Sequence, residues 1–376
     1  MHLDEVSFVI LSQESAEVKQ IMHQLVNSRF QKQNQLNISI IPFLSSVCDG
    51  WLNLFELKNQ YISLPKIENI SLDKIIKATR VSYKLYSDRR HNKINNNLHV
   101  SGLERLDILK TDYNMLQKKW VEIFGQKDLG VFTINNIPYG NTSQLSIYLE
   151  KILNLKSSSS LYTLQKNSAH LLTSYSKYIG FFISSVVSLP YSELVDEKKR
   201  LSLDSSNLRH NDYFFYDEKR KNLLGGNLPT DTQLFLFNIL CQNNFVNLVI
   251  PNVFLSSESL FYRSKLQVYL TSINCLSLIL KKYSDTISKK QIQDIKYLIT
   301  EKEKYFTFEN KLRNNIFHYV IQDIPLTVFT NSNYYFQELV EYSVGIGFDR
   351  FISNIDNSFI SINQVISGLI QYSINN

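Results

Sequence analysis

Arg313, Asn314 and His318 lie close together in the stretch Glu309-Asn310-Lys311-Leu312-Arg313-Asn314-Asn315-Ile316-Phe317-His318-Tyr319. An imidazole moves protons near neutral pH. A guanidinium presents fixed, forked donors to a phosphate, and an amide can hold that phosphate or orient the imidazole. The set suits RNA cleavage without a metal. There the 2′-hydroxyl of the substrate attacks the adjacent phosphorus, so the protein need not supply a nucleophile. Proton transfer then falls to His318 and stabilisation of the phosphorane charge to Arg313, with Asn314 in support.

On a helix, Phe308, Leu312, Ile316, Tyr319 and Val320 share one apolar stripe that would pack inward. Asn314 and His318, four apart, share the opposite face. Arg313 falls between the two, with a stem long enough to bring its guanidinium toward His318. Phe317 and Ile321 join the polar face, which makes it resemble a partner-binding surface; a two-fold contact there would set two Arg/His pairs side by side. Lys311 and Tyr319 are expected to touch RNA.

The string Leu312-Arg313-Asn314-x-x-x-His318-Tyr319 resembles the R-x4-6-H signature of HEPN domains, including the polar residue often found after the Arg. Its place on a late helix of a C-terminal bundle is similar too. The resemblance covers at most about residues 230–376. It implies a dimeric, metal-independent ribonuclease of the kind found in toxin–antitoxin pairs, abortive-infection systems and CRISPR-associated effectors, commonly behind an N-terminal sensor domain. The expected function is therefore a metal-independent endoribonuclease of a prokaryotic antiviral defence or toxin system. Its expected partners are RNA, a second copy of the chain, and an antitoxin or activating ligand. No cofactor, metal or membrane is expected. Two other readings stay open: a HEPN-like bundle that only binds, with function carried by the N-terminal part, and a metal-dependent nuclease within residues 1–229.

Other groups carry less. Arg80, Lys84, Arg89, Arg90, His91 and Lys93, interleaved with Tyr83 and Tyr86, could track phosphates while bases stack on the tyrosines; Arg89 and Arg90 are the residues expected to contact RNA. A solvated helix end would look the same. Glu197-Lys198-Lys199 and Asp217-Glu218-Lys219 read as charged turns. Gly225-Gly226 lacks the residues of a P-loop and reads as a turn, Gly345-Ile346-Gly347 as a helix break. His210, beside Arg209, Asn211 and Asp212, reads as a loop histidine.

Composition sets the frame. The 376 residues are 44% hydrophobic and 20% charged, with 22 Tyr and 23 Phe, which excludes wholesale disorder. Eleven Gly and seven Pro point to few loops and many helices. The net charge of +6 permits a polyanionic ligand without demanding one. Cys48, Cys241 and Cys275 are far apart and form no CxxC, so they read as buried hydrophobes in a reducing compartment. The N-terminus lacks a basic leader, and the apolar run 178–189 is too short to span a bilayer. A cytoplasmic protein is expected.

The elements that must position these groups read as α+β: an N-terminal α/β domain over residues 1–155, a helical or mixed connecting segment over 156–230, and a C-terminal all-α bundle over 231–376. Strands are expected at 7–12, 37–44 and 129–135, where Val, Ile or Phe cluster. Helices are expected at 14–30, 71–90, 102–124 and 161–189, with a small hairpin near 213–224. The bundle helices are expected at 232–249, 257–282, 289–304, 306–323, 333–352 and 359–373.

Overall fold

The computed structural model describes residues 2–27, 33–60, 62–83, 113–149, 152, 161–186, 207–217, 219–254, 258–307 and 311–372. It is 71% helix and 7% strand.

The chain opens on two long helices, α1 (Leu3–Asn27) and α2 (Gln33–Leu57), where strands were expected at 7–12 and 37–44. In α1 the buried row runs Val6, Ile10, Glu14, Val18, Ile21 and Leu25. A glutamate in the middle of that row interrupts its apolar pattern. In α2, Ile38, Ile40, Ile41, Phe43, Leu44, Val47 and Cys48 are all buried. A helix covered on nearly every side has the same continuous apolar run as a buried strand, and periodicity cannot separate them. Pro42 sits inside α2 without ending it.

Two short strands, β1 (Lys66–Ile67) and β2 (Ile70–Ser71), turn through Glu68 and Asn69, both at positive φ, into α3 (Leu72–Tyr83). Helix α4 (Met115–Phe124) begins at a capping box in which Asn114 accepts from the Gln117 N–H and Gln117 accepts from the Asn114 N–H. Strands β3 (Leu129–Ile134) and β4 (Ile137–Asn141) form a hairpin through Asn135-Asn136, at φ 50° and 64°. Asparagine tolerates this left-handed pair, which matches the twist of the strands. Helices α5 (Ser143–Tyr148) and α6 (Leu161–Val186) follow. Strand β5 (Leu208–Tyr213) then pairs with the other edge of β3, so an antiparallel sheet runs β4-β3-β5. His210 thus lies on a strand, its Nε2 3.1 Å from Asp212 Oδ1. The expected hairpin at 213–224 is a turn in which Asn222 N–H reaches Phe214 O. At Gly226 (φ 97°) a Cβ would lie 2.6 Å from Leu369 O.

The C-terminal part is α7 (Thr230–Asn244), a π turn (Phe245–Val249), α8 (Ile250–Val253), α9 (Ser259–Tyr283), α10 (Lys289–Glu303), α11 (Leu312–His318), α12 (Tyr335–Val344) and α13 (Phe348–Ile370). Of the expected helix over 306–323, the described residues 306–307 and 311–323 are helical only in α11. The expected pair 333–352 and 359–373 is divided instead at Gly345, whose φ of 72° closes α12.

One buried core runs from Val6 to Ile370. It crosses the expected boundary at residue 230: Arg263 of α9 pairs with Glu14 of α1, and Asn238 of α7 accepts from Asn141 at the end of β4. Two stretches, Gln35–Leu57 and Thr230–Val253, are long and apolar enough to cross a membrane, and 83% of the apolar window in each is buried in the fold. The sequence reading had passed over both. The three cysteines are free and buried.

Candidate functional site

Helix α11 is one short run held between two left-handed residues, Lys311 (φ 52°) and Tyr319 (φ 60°). Leu312, Asn315, Ile316 and Phe317 face inward, and Arg313, Asn314 and His318 face out. So short a helix has little stability of its own. Its last carbonyls, which lack partners within the helix, are met by two buried arginines.

Arg263 Nη1 donates to Asn315 O (3.1 Å) and Ile316 O (2.9 Å), and Gln267 also donates to Ile316 O (3.2 Å). Arg80 Nη1 donates to Phe317 O (3.0 Å). Each cation is itself paired: Arg263 Nε with Glu14 Oε1 at 2.7 Å, and Arg80 Nε with Asp49 Oδ2 at 2.6 Å. The Arg263 guanidinium also lies 4.1 Å from the centre of the Tyr319 ring and 4.8 Å from that of Phe336. Positive charge at a helix C-terminus is favourable. Helices α1, α2, α3 and α9 therefore all meet at the end of α11. Burial pushes the Glu14 carboxyl up, against the attraction of Arg263. Burial also pushes the Tyr319 hydroxyl well up, with Glu14 adding to the shift.

Beyond His318 the chain folds back. Asn315 clamps that return, its Oδ1 accepting from Gln322 N–H (3.0 Å) and its Nδ2 donating to Gln322 O (3.2 Å). Ser7 Oγ accepts from Ile321 N–H (3.0 Å). Between the end of α2 and α11 this leaves a groove of about 510 Å³. Asn53, Glu56 and Leu57 line one side, and Asn314, Asn315, His318, Val320 and Gln322 the other. Glu56 and His318 are both exposed. The groove thus offers an imidazole and a carboxylate for proton transfer, amides for hydrogen bonding, and an apolar contact at Leu57.

Asn314 and His318 are together in this groove, as their spacing requires. Arg313 is exposed but does not line it. Arg313 and His318 are five positions apart, which places them about 140° apart around a helix of 3.6 residues per turn. Arg313 instead acts on Lys302, whose ammonium is pushed down by burial first, with Arg313 adding to this against the pull of Glu303. Lys311 is exposed and pairs with Asp323 at 2.5 Å.

Three expectations are corrected. Tyr319 is 3% exposed and packed on Arg263, so it presents no face to an RNA base. Phe317 (7%) and Ile321 (3%), expected at a dimer contact, are covered by the chain itself. Phe317 lies on the inward face of α11 itself, and the left-handed turn at Tyr319, where α11 ends, leads Ile321 back into the core. Arg80, read as part of a basic surface stretch, is a buried strut, and Arg89 and Arg90 lie outside the described residues. The sequence reading missed Asn53 and Glu56, which are more than 250 residues from His318 along the chain and carry no motif.

Among the described residues no three His, Cys, Asp or Glu side chains converge as a metal site would require. Comparison with family models, with curated proteins and with solved structures finds no match.

Proposed function

We propose that the chain is a metal-independent endoribonuclease whose C-terminal helices form a HEPN-like bundle. The observation that carries this reading is the joint exposure of His318 and Asn314 in a groove, on a short helix fixed from below by Arg263 and Arg80. A buried-side clamp of this kind limits the drift of an acid/base group, which matters because misplacement by an ångström is costly to catalysis. Arg313, exposed on α11 but outside the groove, is the charge proposed for the phosphate. Because it points away from His318, a second copy of the chain is the natural source of a better-placed Arg313, and the active unit is proposed to be a homodimer. A cytoplasmic defence or toxin role, with an antitoxin or an activating ligand as partner, follows from the HEPN resemblance alone.

The test is cleavage of labelled single-stranded RNA in EDTA. Wild-type activity should survive chelation. His318→Ala should lower it by roughly 100- to 10,000-fold, the usual worth of a positioned acid/base group, and Arg313→Ala should also reduce it. A requirement for a divalent metal, or full activity in His318→Ala, would sink the reading.

A binding-only role is favoured by one observation. Helix α4 turns Leu116 (79% exposed), Trp120 (64%), Ile123 (66%) and Phe124 (52%) to solvent on one face, a surface more typical of an interaction site than of a monomer's exterior.

A further inference from the structure

We infer that Glu56 is the general base of the groove and His318 its general acid, an inference that rests on the ribonuclease reading above. Cleavage by 2′-hydroxyl attack needs two proton transfers, one from the nucleophile and one to the leaving group. The sequence motif contains only one group suited to proton transfer, and the fold adds a second: the last turn of α2 brings Glu56 to the wall facing α11. Among the described residues, the other side chains on the groove are amides or apolar and cannot exchange a proton. The Glu56 carboxylate makes no hydrogen bond or ion pair among the described residues, unlike Asp49 about two turns earlier, which is committed to Arg80 and Asn53. Leu57 stands 54% exposed beside it, an apolar seat for a nucleobase.

The step balances as follows. The Glu56 carboxylate takes the proton of the 2′-hydroxyl as the 2′-oxygen bonds to phosphorus. The bond from phosphorus to the 5′-oxygen breaks, and that oxygen receives a proton from the His318 imidazolium. The products are a 2′,3′-cyclic phosphate and a 5′-hydroxyl. In this assignment the carboxylate accepts a proton and the imidazolium donates one, so each group acts within its hydrogen-bonding capacity.

The experiment compares wild type, Glu56→Gln and His318→Ala on a normal RNA and on one whose scissile 5′-oxygen is replaced by sulfur. A thiolate leaves without a proton. Glu56→Gln should lower kcat about 100-fold or more with KM changed only a few-fold, and its thermal midpoint should match wild type because Glu56 is exposed and makes no hydrogen bond or ion pair among the described residues. The sulfur substrate should restore cleavage to His318→Ala and not to Glu56→Gln. Glu56→Gln with kcat within about twofold of wild type, while His318→Ala is inactive, overturns the role of Glu56 and leaves the ribonuclease reading standing. Restoration of Glu56→Gln rather than His318→Ala by the sulfur substrate overturns the assignment of roles. Wild-type protein that cleaves no RNA, or full activity in His318→Ala, overturns the reading itself and this inference with it.

Discussion

The residue on which the site depends most is one that takes no part in the proposed chemistry. Arg263 is almost fully buried, paired with an equally buried Glu14, and spends a nitrogen on two carbonyls of α11. A buried ion pair is weak evidence of net stability, but removing one partner leaves an uncompensated charge and typically costs about 3–5 kcal/mol. Arg263→Met should therefore lower the urea-unfolding free energy by about that amount. The loss should also depend on pH. Burial already raises the Glu14 carboxyl, and without Arg263 only the Tyr319 hydrogen bond still opposes that effect. A carboxyl whose folded pKa lies above its unfolded value contributes stability that is full below the unfolded pKa and is lost as pH rises through the folded one. The deficit of Arg263→Met should accordingly be smaller at acidic than at alkaline pH. A deficit under 1 kcal/mol, or one that grows on acidification, would contradict this account. His318 and Asn314 were legible in the sequence because their four-residue spacing sets them on one helical face. Arg263 was not, since nothing local marks a buried arginine whose partner lies about 250 residues away.

At the scale of the element, α11 and the chain that follows it act as one unit because Asn315 bonds both backbone groups of Gln322. Asn315 is 2% exposed, so its loss strands buried donors and acceptors at about 1–3 kcal/mol. Asn315→Ala should destabilise the protein by roughly 2 kcal/mol on that basis, and the Gln322 amide should lose protection from hydrogen exchange ahead of the amides of α13. Uniform loss of protection across the chain would show that the clamp is not local. Elements with strong punctuation were readable from the sequence: α10 starts at the Ser288/Gln291 capping box, and β3 reads correctly from its Val and Phe. The misread elements have separate causes. In α1 a buried glutamate breaks the apolar row, and in α2 burial on all sides erases it. The length of α11 was overestimated because its end is set by Arg263 and Arg80 from other helices, and by left-handed residues at Lys311 and Tyr319 that sequence pattern does not announce.

At the scale of the whole molecule, the groove exists only where the two ends of the chain meet. Its walls are α2 and α11, and the struts under α11 come from α1, α2, α3 and α9. Further links tie the halves: Leu260 N–H donates to Glu17 Oε1 (2.9 Å), and Asn244 Nδ2 donates to Pro138 O (2.8 Å). The bundle over 231–376, which sequence pattern presents as a unit, therefore depends on the first 150 residues for its packing. Produced alone, it would expose the apolar and polar faces that α1, α2 and β4 now cover, and it would leave the Arg263 charge buried without Glu14 or released into a loosened helix. Expressed by itself, residues 231–376 should show weak helical dichroism, no dispersed amide spectrum and no RNA cleavage. Co-expression with residues 1–230 should restore all three as the core re-forms. A well-dispersed spectrum from 231–376 alone would show that the bundle folds independently. If that fragment also cleaved RNA, the groove between α2 and α11 could not be the active site, because one wall of it, Glu56 included, would be missing.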